Sequence, residues 1–352
     1  MKLAIVGLEQ SGKTTVFDAL TGSDKGVGTY GKIEANIAMV KVPDERVDWL
    51  SKLYDPKKIV YADIEFVDIP GSINDSSDPK IIAAARETEA LIYVIRAFRN
   101  ENVIHPLGSI DPARDLEQVK TGLLVADMSV AEKRIEKLKV SIQKHSDKQE
   151  EDKIELAALE KVMEKLEAER PASEAELTEM EEKAVRSFQF LTLKPYLTVF
   201  NISEDDLKPG ETDKILKEFP DCMAMCAEIE MEIRRLDEGD RATFIEDLGI
   251  KELSIMSFIL KAYETLGLIT FFTAGENEVH AWTIKQGTNA ITAAGKIHSD
   301  LERGFIRADI FSFSDIKELG SEREVKSAGK FRLEGKEYIM QDGDIVYIRF
   351  NV

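Results

Sequence analysis

Apolar residues fall into three different patterns along this chain, and each predicts a different kind of element. In the first half they form short, near-continuous runs: KLAIV (2–6), NIAMVKV (36–42), IEFVDIP (64–70), ALIYVIRAF (90–98) and PYLTVFNI (195–202). Parallel strands show such runs when helices cover both faces of their sheet. Helical spacing lies between them. In KTTVFDALTG (13–22), Val16, Phe17 and Leu20 share one side, and Gly22 stands where a helix would stop. Strand alternating with helix predicts an α/β fold for this half.

The middle of the chain changes period. Ala131, Ile135, Leu138 and Ile142 recur at helical spacing, and so do Leu156, Leu159, Met163 and Leu166 after the polar break HSDKQEED (145–152). Glu and Lys fill most of the remaining positions, so each arm carries a narrow apolar seam. An antiparallel coiled-coil hairpin shows this pattern; a solvated helical insertion with no partner is the alternative. Pro171 interrupts the arm, and Ser173 with Glu176 predicts a capping box that restarts a helix. From residue 268 the runs AWTI, GFIRADIFSF and DIVYIRFNV lie between turn signals such as KQG, LEGK and QDGD, which predicts a small β-rich domain. The expected division is an α/β domain over 1–121 and 185–267, a helical insertion over 122–184 and a C-terminal domain over 268–352.

Size and charge narrow the function classes. At 352 residues the chain exceeds one compact core. A net charge of −19 argues against wholesale electrostatic binding to nucleic acid or an anionic membrane surface. Residues 268–352 carry 11 Lys and Arg against 13 Asp and Glu, so this module alone is near neutral and could approach RNA. Cys222 and Cys226 form a lone C-x-x-x-C, weak as a zinc signature and consistent with a reducing compartment. The first residues, MKLAIVG, are too short an apolar run for a signal peptide, and no stretch reaches membrane-spanning length, so the cytoplasm is the expected location.

The chemistry concentrates at GLEQSGKT (7–14), a full match to G-x-x-x-x-G-K-[ST] between a predicted strand and a predicted helix. Glycines let successive backbone N–H groups converge on a phosphate, with a helix N-terminus behind them. Lys13 is expected to neutralise phosphate oxygens and the Thr14 hydroxyl to ligate Mg²⁺. Asp68, at the end of the next apolar run in D-I-P-G, is the carboxylate expected to hold the magnesium water shell. On the base side, Asn201-Ile202-Ser203-Glu204 stands where a guanine-specific loop would read N-K-x-D. The lysine is absent and the acid is Glu, which leaves room for adenine. The candidate nucleotide contacts are Glu9, Gln10, Ser11, Gly12, Lys13, Thr14 and Thr15 on the phosphate side. Asn201, Ile202, Glu204 and Ala227 are the candidates on the base side.

With these motifs, the chain resembles the YchF subfamily of Obg-related P-loop proteins, the Obg-like ATPases. The likeness runs through FVDIPGS (66–72), ENVIHPLGSIDPARDLEQVKTGLLVADMSVAEKRI (101–135) and CAEIEMEIRRLDEGDRATFIEDLGI (226–250). It continues in LGLITFFTAGENEVHAWTIKQGT (266–288), HSDLERGFIRADIFSF (298–313) and FRLEGKEYIMQDGDIVYIRFNV (331–352). The resemblance implies a P-loop domain, a coiled-coil insertion and a C-terminal β-grasp TGS domain. It also implies ATP preferred over GTP, slow Mg²⁺-dependent hydrolysis, association with the ribosome or a ribosomal subunit, and RNA as a candidate partner of the TGS domain. His105, in NVIHPLGS, matches the histidine that the family offers in place of a water-orienting Gln.

The sequence also departs from the family pattern. The family loop usually reads GLPNVGKST; here Glu9 replaces Pro and Gln10 replaces Asn, which puts potassium stimulation in question. A carboxylate ~4–6 Å from phosphate would cost roughly 1–4 kcal/mol at an effective dielectric between 80 and 20, so Glu9 is expected to turn toward solvent. Lys32 stands at the position of a Mg-sensing Thr in KIEAN (32–36), and protonated lysine has no lone pair for a cation. It either contacts the γ-phosphate as a charge or marks a switch that no longer senses nucleotide. Ser72 follows Gly71 in a segment that lacks the expected glycines. These changes all fall on the γ-phosphate side. The expected function is a slow ATPase acting as a translation-associated switch; the alternative is a non-catalytic nucleotide-binding adaptor.

Overall fold

The structure is a computed structural model that describes residues 1–22, 36–74, 78–143, 149–208, 210–248 and 253–351. Lys32 and its neighbours Ile33, Glu34 and Ala35 lie outside the described residues, as do residues 145–148 of the polar break. Strand β1 (Lys2–Val6) opens the fold, followed by α1 (Lys13–Thr21), β2 (Asn36–Lys41), α2 (Glu45–Tyr54), β3 (Ile59–Val60) and β4 (Asp63–Asp68). Next come α3 (Pro79–Arg86), β5 (Ala90–Arg96), the long α4 (Pro112–Gln143), α5 (Gln149–Glu167) and α6 (Glu179–Val185). The chain returns through β6 (Tyr196–Asn201), α7 (Glu211–Glu218), β7 (Cys222–Met225), α8 (Ala227–Arg235), α9 (Glu238–Asp247) and α10 (Ser254–Thr265). It ends with β8 (Leu268–Ala274), β9 (Val279–Lys285), α11 (Ala290–Ile297), α12 (Ser299–Arg303), β10 (Phe305–Ser312), α13 (Phe313–Leu319), α14 (Glu322–Ser327), β11 (Arg332–Glu334) and β12 (Asp344–Phe350).

These elements form two compact units, Met1–Ala38 with Glu65–Ile255 and Met39–Ile64 with Met256–Val352. The first holds the α/β fold that the apolar runs predict. Its sheet has the order β2-β4-β1-β5-β6-β7, and β1 pairs in parallel with both β4 and β5. All seven residues of β5 are buried, which is why that run shows no polar alternation. The parallel strands β1, β4, β5, β6 and β7 bring Gly7, Asp68, Ala97, Asn201 and Cys226 to their carboxyl ends. In open α/β sheets that edge is where ligands bind.

Helix α4 serves two cores. Leu116, Val119 and Leu123 pack with Ile73, Ile81 and Ile95 in the core of the nucleotide fold. About two turns later, Ala131 and Leu138 pack with Ala158, Leu159, Val162 and Leu166 of α5. The helical seam is thus the second half of a longer helix. It is also wider than two helices, because Ala172, Val185 and Phe190 close its third side. The capping box expected at Ser173 and Glu176 is absent. Ala172 is held by a hydrogen bond from its N–H to Thr192 Oγ1 (3.1 Å), and one 3₁₀ turn follows over Ala172–Glu174. The box forms later, where Thr178 Oγ1 accepts from Glu181 N–H and Glu181 Oε2 accepts from Thr178 N–H.

The second unit is a mixed sheet of order β11-β10-β12-β8-β9-β3. Strand β12 runs parallel to β8 and antiparallel to β10, and Ala290, Ala293 and Ala294 of α11 pack on its apolar face. Residues 39–64 belong here by contact, although the sequence reading kept them, with 256–267, in the nucleotide-binding domain. Strand β3 pairs with β9, Arg46 forms an ion pair with Asp342 (2.6 Å), and Tyr54 donates to Glu322 (2.5 Å). Those partners lie more than 200 residues away in sequence, beyond the reach of any local pattern.

Asp127 fastens the base of the helical arm to the nucleotide fold. Its carboxylate is fully buried in α4 and accepts from Arg86 Nη2 (2.8 Å), Leu191 N–H (3.0 Å), Thr192 N–H (2.8 Å) and Thr192 Oγ1 (2.9 Å). Removing one partner of a buried pair leaves an uncompensated charge. Asp127→Ala is therefore expected to lower stability by about 3–5 kcal/mol in urea unfolding followed by circular dichroism. A loss below about 1 kcal/mol would mean that water reaches Arg86 and replaces the carboxylate.

Candidate functional site

The phosphate loop begins where β1 ends. Leu3, Ala4 and Ile5 are fully buried, so the strand is fixed and Gly7 leaves the sheet at a defined point. A side chain on Gly7 would meet the carbonyl of Val94 at 2.4 Å. The loop turns through two left-handed residues, Gln10 (φ 60) and Gly12 (φ 88). Gly12 has a second constraint, since a Cβ there would lie 2.2 Å from Asn201 Nδ2. It also caps α1, whose first turn carries no acid and whose N-terminus receives no side-chain hydrogen bond. Such an end presents N–H groups and a positive dipole to an anion.

Lys13 folds back over the loop. Its Nζ donates to Leu8 O (2.7 Å) and Gly7 O (3.3 Å). Burial pushes the ammonium down to about 8, against the pull of Asp68 and Glu9. Thr14 Oγ1 donates to Asp68 Oδ2 at 3.0 Å, and Asn36 Nδ2 donates to the same oxygen at 3.4 Å. Asp68 is almost fully buried, and burial lifts its carboxyl above the usual range while these two donors and Lys13 pull it down. Its other oxygen, Oδ1, is buried without a hydrogen-bond partner among the described residues. A hydroxyl and a carboxylate with a free oxygen form a hard donor set suited to a magnesium ion and its waters. Glu9 and Gln10 are exposed, Ser11 is buried, and Thr15 is half-buried at the start of α1.

On the base side, Asn201 acts as a clamp. Its Nδ2 donates to Ser11 O (3.2 Å), and its Oδ1 accepts from Ala227 N–H (3.2 Å). Both ends of the amide are thereby spent on backbone, joining the phosphate loop to the start of α8. Ile202 is buried and its N–H donates to Met225 O. Glu204 opens a 3₁₀ turn over Glu204–Leu207 and is exposed, free to meet a ligand.

His105 is held elsewhere in the local network. Its Nε2 lies 2.7 Å from Asp115 Oδ2, and its Nδ1 accepts from Leu107 N–H at 3.1 Å. Both ring nitrogens are thereby engaged, Nε2 by a carboxylate and Nδ1 by a backbone N–H. The ring is buried, and Arg114 donates twice to the other oxygen of Asp115. Buried Arg96 ties down the preceding loop through the carbonyls of Phe98, Asn100 and Val103. Ser72 Oγ accepts from Asn74 N–H at 3.3 Å.

The sequence reading passed over three residues that shape this site. Asn36 ends the KIEAN segment and reaches Asp68. Phe98 packs near Gly12, 3.6 Å from where a Cβ would stand. Gly122 lets α4 approach Ile73 and Asn74, whose atoms would lie 2.8–3.0 Å from a Cβ there. Of the three, only Gly122 leaves a trace in the sequence, as a glycine inside a helical pattern.

Comparison with known proteins agrees with this architecture. A family model described as "50S ribosome-binding GTPase" matches residues 2–161, and the model YchF-GTPase_C, described as "Protein of unknown function (DUF933)", matches residues 268–351. The protein named ribosome-binding ATPase YchF from Bacillus subtilis is 41% identical over 99% of this chain and 98% of its own length. Its namesake from Haemophilus influenzae is 39% identical over 100% and 99%. The solved structure of the Schizosaccharomyces pombe YchF GTPase superposes with a TM-score of 0.84 at 31% identity, covering 99% of this chain and 97% of that one. The chain belongs to the YchF family.

Proposed function

We propose that the chain is a slow, magnesium-dependent ATPase that acts as a nucleotide-controlled regulator on the ribosome or a ribosomal subunit in the cytoplasm. The observation that carries this reading is the Lys13, Thr14 and Asp68 constellation at the end of β1 and β4. It occurs in a chain whose full-length relatives are named ribosome-binding ATPases. Thr14 would ligate magnesium directly and Asp68 through water. The ion, when bound, neutralises charge on the β- and γ-phosphate oxygens. Lys13 would exchange its loop carbonyls for phosphate oxygens. Glu204 would accept from the adenine amine, with Ile202 and Ala227 beside the base and Asn201 setting their distance from the phosphates.

Slow turnover follows from His105. To accept a proton from water, the ring must free Nδ1 from Leu107 N–H while Nε2 can stay on Asp115, so the resting arrangement is a low-activity one. The functional division is a nucleotide-binding domain over 1–121 and 185–267, a helical arm over 122–184 and a TGS domain over 268–352, the last a surface for ribosomal RNA. The close approach of Gly122 to Ile73 and Asn74 gives the segment after Asp68 a direct route to the arm. The same engagement of both ring nitrogens favours a second reading, in which nucleotide stabilises an adaptor without being hydrolysed.

Two measurements test these statements. Lys13 is partly neutral near pH 8, and an incoming phosphate favours its charged form, so ATP binding should draw a proton from solution. Titrated about one pH unit above the Lys13 value, binding should take up close to one proton. The uptake is read from the dependence of binding enthalpy on the ionisation enthalpy of the buffer; none would show that Lys13 is already charged in the free protein or does not meet phosphate. Second, His105→Ala should lower single-turnover hydrolysis by about 10²-fold or more, the usual scale of general acid–base assistance, with ATP affinity kept. Unchanged turnover would favour the adaptor.

A further inference from the structure

Helix α8 is pinned at both ends by contacts of different kinds. At its start, Ala227 N–H is fixed by the Asn201 amide, which also holds Ser11 of the phosphate loop. Near its end, the Arg234 guanidinium crosses to α1, and Nη1 donates to Ala19 O (2.7 Å) and Leu20 O (2.6 Å). These are carbonyls of the last turn of α1, which lack helical partners and carry the negative end of the helix dipole. Gly22, left-handed at φ 68, closes the same helix with its N–H on Asp18 O. A Cβ on Gly22 would stand 3.0 Å from Arg234 Nε, so the glycine also makes room for the guanidinium. The end of α8 is held in turn by Arg241 of α9, which donates to Ile233 O and Leu236 O.

The two attachments of α8 are about 10 Å apart along its axis at 1.5 Å per residue. Helix α1 starts at the phosphate loop and α8 starts at the base-side residue Ala227, and the helices pack along each other. One rung joins their beginnings through Asn201, and a second joins their ends through Arg234. From this we infer that Arg234 is a positioning residue for nucleotide recognition, setting the base-side start of α8 at the right distance from the phosphate loop without touching the ligand. The inference rests on the nucleotide-binding reading and adds a residue to it. The phosphate loop itself is anchored without Arg234, by buried β1 and by the Asn201 hydrogen bond to Ser11 O. Arg234 therefore matters for ligands that span both sites and not for those that occupy the phosphate loop alone.

The test uses the full-length, nucleotide-free protein and two probes, ATP and inorganic tripolyphosphate, each titrated with Mg²⁺ by calorimetry. Arg234→Met should weaken ATP about tenfold, the worth of a charge-assisted hydrogen bond, and leave tripolyphosphate affinity as in the wild type. Arg234→Lys keeps the charge and reaches a single carbonyl. Its loss should be smaller and again confined to ATP, so the conclusion does not depend on the methionine variant folding. Unchanged ATP affinity in both variants overturns the inference, and so does an equal loss of both probes, which marks a general weakening of the fold. If the wild type binds neither probe, the nucleotide reading itself fails and takes the inference with it.

Discussion

The Asn201 amide is the contact on which the candidate site depends. It is buried, it uses both its oxygen and its nitrogen on backbone, and the two groups it joins are the phosphate loop and the start of α8. Gly12 must be glycine for the amide to come this close. The clamp requires β6 to stop at the right residue beside β5, and the parallel register of Arg96 with Asn201 provides that. Both faces of β5 are buried, so its register is held by close packing of side chains of different size on each face rather than by polar alternation. Core packing is thereby converted into a distance between two loops.

The end of β4 is organised differently. Asp68 sits at the end of β4, buried enough that ionisation is costly, with one oxygen satisfied by Thr14 and Asn36 and the other unpartnered among the described residues. A buried carboxylate is stabilised by a cation beside it, so Asp68 together with the Thr14 hydroxyl offers a donor set suited to a hard divalent ion. Asn36 is the first described residue after the segment that holds Lys32. Ile73, a few residues beyond Asp68, touches α4 at Gly122. Asp68 is thereby linked both to the start of β2 and, through the segment after it, to the helix that carries the arm.

Much of this was legible in the sequence because the relevant signals are local. The phosphate loop is eight consecutive residues, and the strands are runs whose burial on both faces leaves an unmistakable apolar pattern. The start of α4 was not legible from the arm, since the apolar seam begins near Ala131 while the helix begins at Pro112 and spends its first half on another core. Ser173 satisfies the capping rule on paper, but Ala172 is pulled into the core of the arm and the helix starts at Glu179 instead. The grouping of residues 39–64 with the C-terminal unit depends on Asp342, Glu322 and β9, none of them near in sequence. The partnership of His105 with Asp115 joins an irregular loop to the first turn of α4, and no periodicity announces it.

The central claim is that Asp68 and Thr14 complete a magnesium-nucleotide site around the phosphate loop. The most direct measurement is a calorimetric titration of nucleotide-free wild type and Asp68→Asn with ATP, with Mg²⁺ and with a chelator. The account predicts tight binding that depends on magnesium in the wild type, with the magnesium-dependent part lost in Asp68→Asn and the weaker, metal-free part retained. Binding that is the same with chelator as with magnesium, or no binding at all, would contradict it.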